Sequence, residues 1–202
     1  MGLRERKKLA TRQALGWAAI SLAVQRGLDN VRVEDIAAAA GVSPRTFNNY
    51  FASKQEAICS VTVDRAELIG DTLLARPADE PLAEALLAAM VAHYRSAGEL
   101  DRQWVSATQL IYTSPALRGE AMRAAVATEE RLAAAVARRC GLDVERDMFP
   151  MVVAAVATGA ARTGVRHWMR SGTAEPITDV IAAAIRMALA GVENSGGDHG
   201  QR

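Results

Sequence analysis

Cysteine is nearly absent from this 202-residue chain: Cys59 and Cys140 stand far apart and in no CxxC pairing, which excludes a disulfide framework and a zinc ribbon. Such sparing use of thiols fits a reducing cytoplasm. Aromatic residues make up only 4%, and no alternating run of Val, Ile or Tyr bounded by turn residues occurs, so the fold class is all-α. The charged start MGLRERKKLATR lacks the continuous apolar core of a signal peptide, so secretion is not expected. The most apolar run, MVVAAVATGAARTGV from Met151, is broken by Thr158, Arg162 and Thr163. It falls short of the roughly 20 residues of a membrane span and reads as a buried helix, with no membrane partner. His93 and His167 have no carboxylate or cysteine at ligand spacing, so neither a metal nor a cofactor is expected. The motifs GxSxG, GxGxxG and HExxH are all missing, and the chain is not read as an enzyme.

What is present is a sequence half hydrophobic and rich in helix formers. Its net charge of +1 hides an asymmetry: residues 1–57 hold nine Lys/Arg against five Asp/Glu, and residues 58–202 hold fifteen against eighteen. All three lysines, Lys7, Lys8 and Lys54, lie in the first part. A basic end is what a phosphate-facing module presents, and also what an ordinary solvated face presents. Periodicity and end signals predict a first helix from Arg4 to Arg26, stopped by Gly27, and a short second helix carrying Val33, Ile36, Ala37 and Ala40, stopped by Gly41. A third starts at Pro44 with Ser43 as its N-cap, and a fourth runs from Lys54 to Ala75 behind a Ser53–Glu56 capping box. Further helices are expected over 82–97, 101–113, 116–140, 146–171 and 177–192. The division expected is a DNA-facing domain over 1–53, a second domain over 54–193 and a disordered Gly-rich tail over 194–202.

The segment Ala37–Phe51, AAAAGVSPRTFNNYF, carries the chemistry. Two short helices joined through Ala-Gly-Val-Ser fit a helix-turn-helix, with Gly41 where the backbone opposes a Cβ. On the helix from Pro44, Phe47 and Phe51 share one face, while Arg45, Asn48 and Asn49 follow i, i+3, i+4 spacing on another. Arg can pair with guanine and Asn with adenine in the major groove, so this division suits a recognition helix. Spacing alone also admits an ordinary helix with one solvated face.

These residues carry a family resemblance. Val33-Glu-Asp-Ile-Ala, Ala40-Gly-Val-Ser-Pro-Arg-Thr-Phe, Asn49-Tyr-Phe and Ser53-Lys-Gln-Glu together resemble the N-terminal domain of the tetracycline-repressor (TetR) family. The resemblance implies an all-helical homodimer whose N-terminal helices bind operator DNA and whose variable C-terminal helices dimerise and hold a small ligand; the reading carried is a repressor on a palindromic operator released by that ligand, and the alternative is a ligand-independent or activating DNA-binding regulator. It implies that Arg45, Thr46, Asn48 and Asn49 face bases or adjacent phosphates and that Tyr50 and Lys54 touch the DNA backbone, and the N-cap Ser43 is counted among the DNA-binding residues with them. Arg32 stands where the family often has a capping Thr; it can keep a phosphate contact while capping less well. Asn48 replaces a frequent aromatic, and Ala23 a frequent Phe, leaving room for Trp17 or Ile20 to fill. Arg4, Arg6, Lys7 and Lys8 form either a minor-groove or phosphate-contacting arm or a disordered basic end.

Beyond residue 57 the resemblance assigns no residue. Candidates for a ligand cavity by side-chain type are Met90, Tyr94, Trp104, Thr108, Ile111, Tyr112, Met122 and Trp168, with Tyr94, Trp104, Thr108, Met122 and Trp168 carried forward; core packing is the competing reading. Arg95 or Arg166 could meet a carboxylate or phosphate. Cys140, beside Arg138 and Arg139, and Cys59 are the candidates for oxidation, against the plainer reading of inert thiols. The wording around Arg45–Phe51 resembles a branch of the family described as acyl-CoA-like ligand binding, which implies an elongated apolar effector. The alanine-rich last two helices are expected to pair with their counterparts in a second chain.

Overall fold

A computed structural model of the chain describes residues 2–96 and 102–190, with the backbone alone at residues 3, 65, 95, 96 and 102–105. Among the described residues there is no strand; the helices are α1 (Leu3–Arg26), α2 (Val33–Ala39), α3 (Pro44–Asn48), α4 (Lys54–Ala75), α5 (Leu82–Ser96), α6 (Arg102–Thr113), α7 (Arg118–Cys140), α8 (Met148–Ser171) and α9 (Ile177–Leu189). A 3-10 turn, Leu28–Asn30, stands where a loop was expected, and another, Pro115–Leu117, takes the first two residues of the helix expected over 116–140. Helix α8 starts two residues later than the periodicity predicts. Asp147 accepts from the Asp143 N–H at 2.8 Å and Asp143 from the Glu145 N–H at 2.9 Å, so the carboxylates hold a turn that competes with helix.

The chain falls into two compact units that do not follow sequence order: Met1–Asp64 with Leu100–Ala125, and Arg65–Glu99 with Val126–Arg202. The first turns of α4, all of α6 and the start of α7 belong with the N-terminal helices in the first unit. Ile58, Ala107 and Leu117 are buried there beside Leu15, Ile20, Ile36 and Phe47. Ile20, not Trp17, goes inside near Ala23; Trp17 is 47% exposed. Arg4, Arg6, Lys7 and Lys8 sit exposed in the first turns of α1, so the basic end is helical and not disordered. The tail 194–202 lies outside the described residues.

In the second unit the C-terminal halves of α4 and α7 run side by side. Arg131 and Glu67 pair at 2.9 Å, and one guanidinium, that of Arg139, donates to the carbonyls of Leu73, Arg76, Pro77 and Glu80 at 2.6–3.3 Å. Arg139 thereby satisfies the carbonyls left over where α4 ends. Helix α9 packs against both α8 and α5. By length and composition α8 could cross a membrane; Pro150, Val153, Ala154, Ala157, Ala161, Gly164 and Val165 are buried within this unit.

Candidate nucleic-acid interface

The turn between α2 and α3 is built locally. Asp35 accepts from the Arg32 N–H at 3.0 Å, which is one half of a capping box; the Arg32 side chain has no acceptor and cannot supply the other. Gly41 then takes φ +67° with nothing within 4 Å of a would-be Cβ, so glycine is required there by backbone conformation and not by crowding. Ser43 Oγ accepts from the Thr46 N–H at 3.1 Å and shares a 2.9 Å hydrogen bond with the Thr46 hydroxyl, and Pro44 fills the first helical position. A cap of this kind is worth about 1 kcal/mol. Phe47 supplies more: it is fully buried, and its ring lies 5.7 Å from that of Phe51.

With Phe47 turned inward, Arg45, Asn48 and Asn49 are left exposed, and Thr46 and Tyr50 are half-buried. Asn49 keeps αR geometry beyond the last residue of α3 and donates to the Arg45 and Thr46 carbonyls at 3.2 and 3.1 Å, so the i, i+3, i+4 set stays on one side. Arg32 is exposed at the start of α2.

Lys54 is placed differently from a free surface lysine. Its ammonium donates to Leu28 O at 2.7 Å and Val31 O at 2.8 Å, tying the N-terminus of α4 to the 3-10 turn and to the residue before Arg32. Two of its three N–H groups are thus committed, which leaves at most one for any further contact. The Ser53 box also shifts by one residue. Ser53 Oγ accepts from the Glu56 N–H at 3.0 Å, but the Glu56 carboxylate reaches back to the Ala52 N–H at 2.7 Å, not to that of Ser53.

Thr108 (half-buried) and Met122 belong to the first unit, Tyr94 (half-buried) and Trp168 to the second, and the side chain of Trp104 lies outside the described residues. Met122 is 66% exposed. The Trp168 indole N–H donates to Glu175 O at 2.9 Å, pinning the turn into α9, and Tyr94 meets the His93 ring edge-on at 5.9 Å. Arg166 is exposed, and the Arg95 side chain lies outside the described residues. Burial pushes the Cys59 thiol up to about 12, with Glu120 adding to the effect and Arg123 opposing it, so no thiolate forms near neutral pH. Desolvation also holds the exposed Cys140 thiol up despite Arg139 beside it.

Sequence reasoning missed Arg12. Its guanidinium lies 4.7 Å over the Phe51 ring with Nε 3.5 Å from Asp64 Oδ1, a meeting across 39 and 52 residues that no local pattern signals.

The family model described as bacterial regulatory proteins, tetR family, matches residues 17–57, and that described as the MftR C-terminal domain matches residues 80–193. The HTH-type transcriptional regulator TcmR of Streptomyces glaucescens is 33% identical over 177 residues, covering 83% of this chain and 76% of TcmR. MftR of Mycobacterium tuberculosis is 29% identical over 191 residues, covering 93% of this chain and 94% of MftR. The crystal structure of FadR from Bacillus subtilis in complex with stearoyl-CoA shares the fold, with a TM-score of 0.56 at 18% identity over 88% of this chain and 97% of that one. With a helix-turn-helix at 33–48 and a C-terminal family match over more than half its length, this chain belongs to the TetR family of bacterial transcriptional regulators.

Proposed function

We propose that this regulator is a repressor that binds a palindromic operator as a homodimer and is released by an elongated apolar effector of the fatty acyl type. The observation that carries the DNA-binding part is α3 itself: Phe47 buried, Arg45, Asn48 and Asn49 exposed on the opposite side, and the whole helix capped by Ser43. Arg45 reads guanine and the two asparagines adenine, while Thr46, Tyr50 and Lys54 meet phosphates. A single five-residue helix reads few bases. Two copies, about 34–36 Å apart or a multiple of that, read a palindrome.

The pairing face proposed is the outer side of α8 and α9. Met148 (78% exposed), Met151 and Val152 on α8 and Met187 (77%) on α9 leave apolar surface there that a second copy would cover. The effector class rests on the fold shared with FadR, which was crystallised with stearoyl-CoA, and on the likeness of the α3 segment to an acyl-CoA-binding branch.

The experiment is fluorescence anisotropy on a duplex from upstream of the protein's own coding sequence, with random duplex as control, repeated with stearoyl-CoA. Tight specific binding released by stearoyl-CoA is expected. Binding untouched by the acyl-CoA removes the effector class, and binding no tighter than to random DNA removes that operator. Two substitutions separate base reading from backbone contact. Arg45→Ala should cost about 1–3 kcal/mol on the specific duplex and little on the random one. Lys54→Ala should weaken both alike, reduce the salt slope by about 1 and lower thermal stability, because Leu28 O and Val31 O lose their donor. Equal losses on both duplexes for Arg45→Ala would refute its base-reading role.

A further inference from the structure

Of the basic residues along α1, Arg4, Arg6, Lys7, Lys8 and Arg26 are exposed, whereas the Arg12 side chain is only 28% exposed. It is turned toward two groups at once. One is the Phe51 ring, with the guanidinium carbon 4.7 Å from the centroid. The other is the Asp64 carboxylate, 3.5 Å from Nε and on a side chain just 11% exposed. Asp64 is the one charged residue that is buried among those described, and a buried carboxylate is retained at a cost unless cations and donors meet it. Phe51 is itself 2% exposed and lies against Phe47, the buried anchor of α3.

The chemistry suits arginine in particular. A planar guanidinium can lay its face on an aromatic ring while its edge donates to a carboxylate; an ammonium has no such flat face. The contacts join α1, the chain just past α3, and α4. A rotation of α3 in the groove would have to carry Phe51 off the guanidinium, and that is resisted by a pair anchored on two longer helices.

We infer that Arg12 is a positioning residue for the DNA-reading helix: clamped between Asp64 and Phe51, it fixes the pose of α3 without touching DNA itself. This rests on the proposed reading of DNA by α3 and deepens it, since a basic residue on α1 would otherwise be taken for a phosphate contact. The two roles differ in salt dependence, because only a phosphate contact releases counterions.

The test compares wild type with Arg12→Met, Arg12→Lys and Asp64→Asn on an operator duplex that the wild-type protein selects from a random library, over a salt series. Amide hydrogen exchange of the same free proteins is followed at Asn49, Tyr50 and Phe51. Arg12→Met is expected to lose about tenfold in specific affinity with an unchanged salt slope, and to raise exchange at those amides by about the same factor. Asp64→Asn should do the same, and the double variant should lose no more than either single one. Arg12→Lys, which keeps the charge, should fall between and carries the comparison if the methionine variant folds poorly. A slope reduced by about 1 in Arg12→Met would make Arg12 a phosphate contact and overturn the inference. So would wild-type affinity and exchange in both arginine variants. If the wild-type protein selects no operator, the DNA reading fails, while the exchange data still decide whether Arg12 holds α3.

Discussion

Phe47→Ala is expected to abolish operator binding by melting α3 while the helices of the second unit keep their structure. The helix has five residues, far below the about 12–15 at which an isolated helix becomes even marginally stable, so it exists only through what it buries. Its Ser43 cap offers about 1 kcal/mol. Truncating a fully buried phenylalanine costs about 3–5 kcal/mol, to which the lost ring pair with Phe51 adds about 0.5–1.5 kcal/mol. That sum rivals the lower part of the about 5–15 kcal/mol that holds a whole domain together. The cap cannot compensate. Without α3, Arg45, Asn48 and Asn49 have no common face, and specific binding should fall to the random level. Amide exchange at residues 47–51 should rise to near that of an unfolded segment, and the melting temperature should drop by several degrees. Wild-type melting together with wild-type operator binding would show that the ring is dispensable and that α3 is held by something else.

The parts of this design that are local in sequence were the legible ones. Gly27, Gly41, Ser43 and Pro44 act on backbone within one turn of themselves, so the ends of α1, α2 and the start of α3 could be read directly. The spacing of Phe47 and Phe51 against Arg45, Asn48 and Asn49 likewise fixed which side of α3 is buried. What could not be read were partners separated by long stretches of chain. Lys54 reaches the carbonyls of Leu28 and Val31, Arg12 reaches Asp64, and Arg139 gathers four carbonyls at the end of α4. A lysine or arginine on a helix has the same periodicity whether its tip meets water, a phosphate or a backbone carbonyl, so composition and spacing carry no signal of the difference. The same limit applies to Met122 and Trp168. Side-chain type does not tell that Met122 is mostly exposed, nor that the Trp168 indole N–H is bonded to Glu175 O.

Gly164→Val should markedly destabilise the second unit, and its comparison with Gly164→Ala isolates the reason. At this position α8 comes so close to α9 that an added Cβ would stand 3.2 Å from Ile181 Cα, 3.3 Å from Val180 O and 3.3 Å from Ala184 Cβ. Two of those neighbours are backbone atoms, which cannot rotate aside. For alanine the helices need to part by only a few tenths of an ångström, and the gain of about 1 kcal/mol in helix propensity over glycine offsets much of the strain. Valine adds two methyl groups beyond that Cβ, with one strongly preferred rotamer in a helix, and no adjustment of that size accommodates them. Overpacking of a tight core costs up to about 3 kcal/mol. Moving α9 away is opposed on its other side, because Ile181, Ile185 and Leu189 are buried and α9 also packs on α5. The consequence extends to assembly. Met148, Met151 and Val152 on α8 and Met187 on α9 form the proposed pairing face, and they share it only while the two helices keep their spacing. Gly164→Val should therefore lower the melting temperature and shift the dimer toward monomer in sedimentation equilibrium, and operator affinity should fall with the dimer. Gly164→Ala should stay near wild type in all three. A valine variant as stable and as dimeric as the alanine one would mean that the α8–α9 spacing is not what holds the second unit and its pairing face in register.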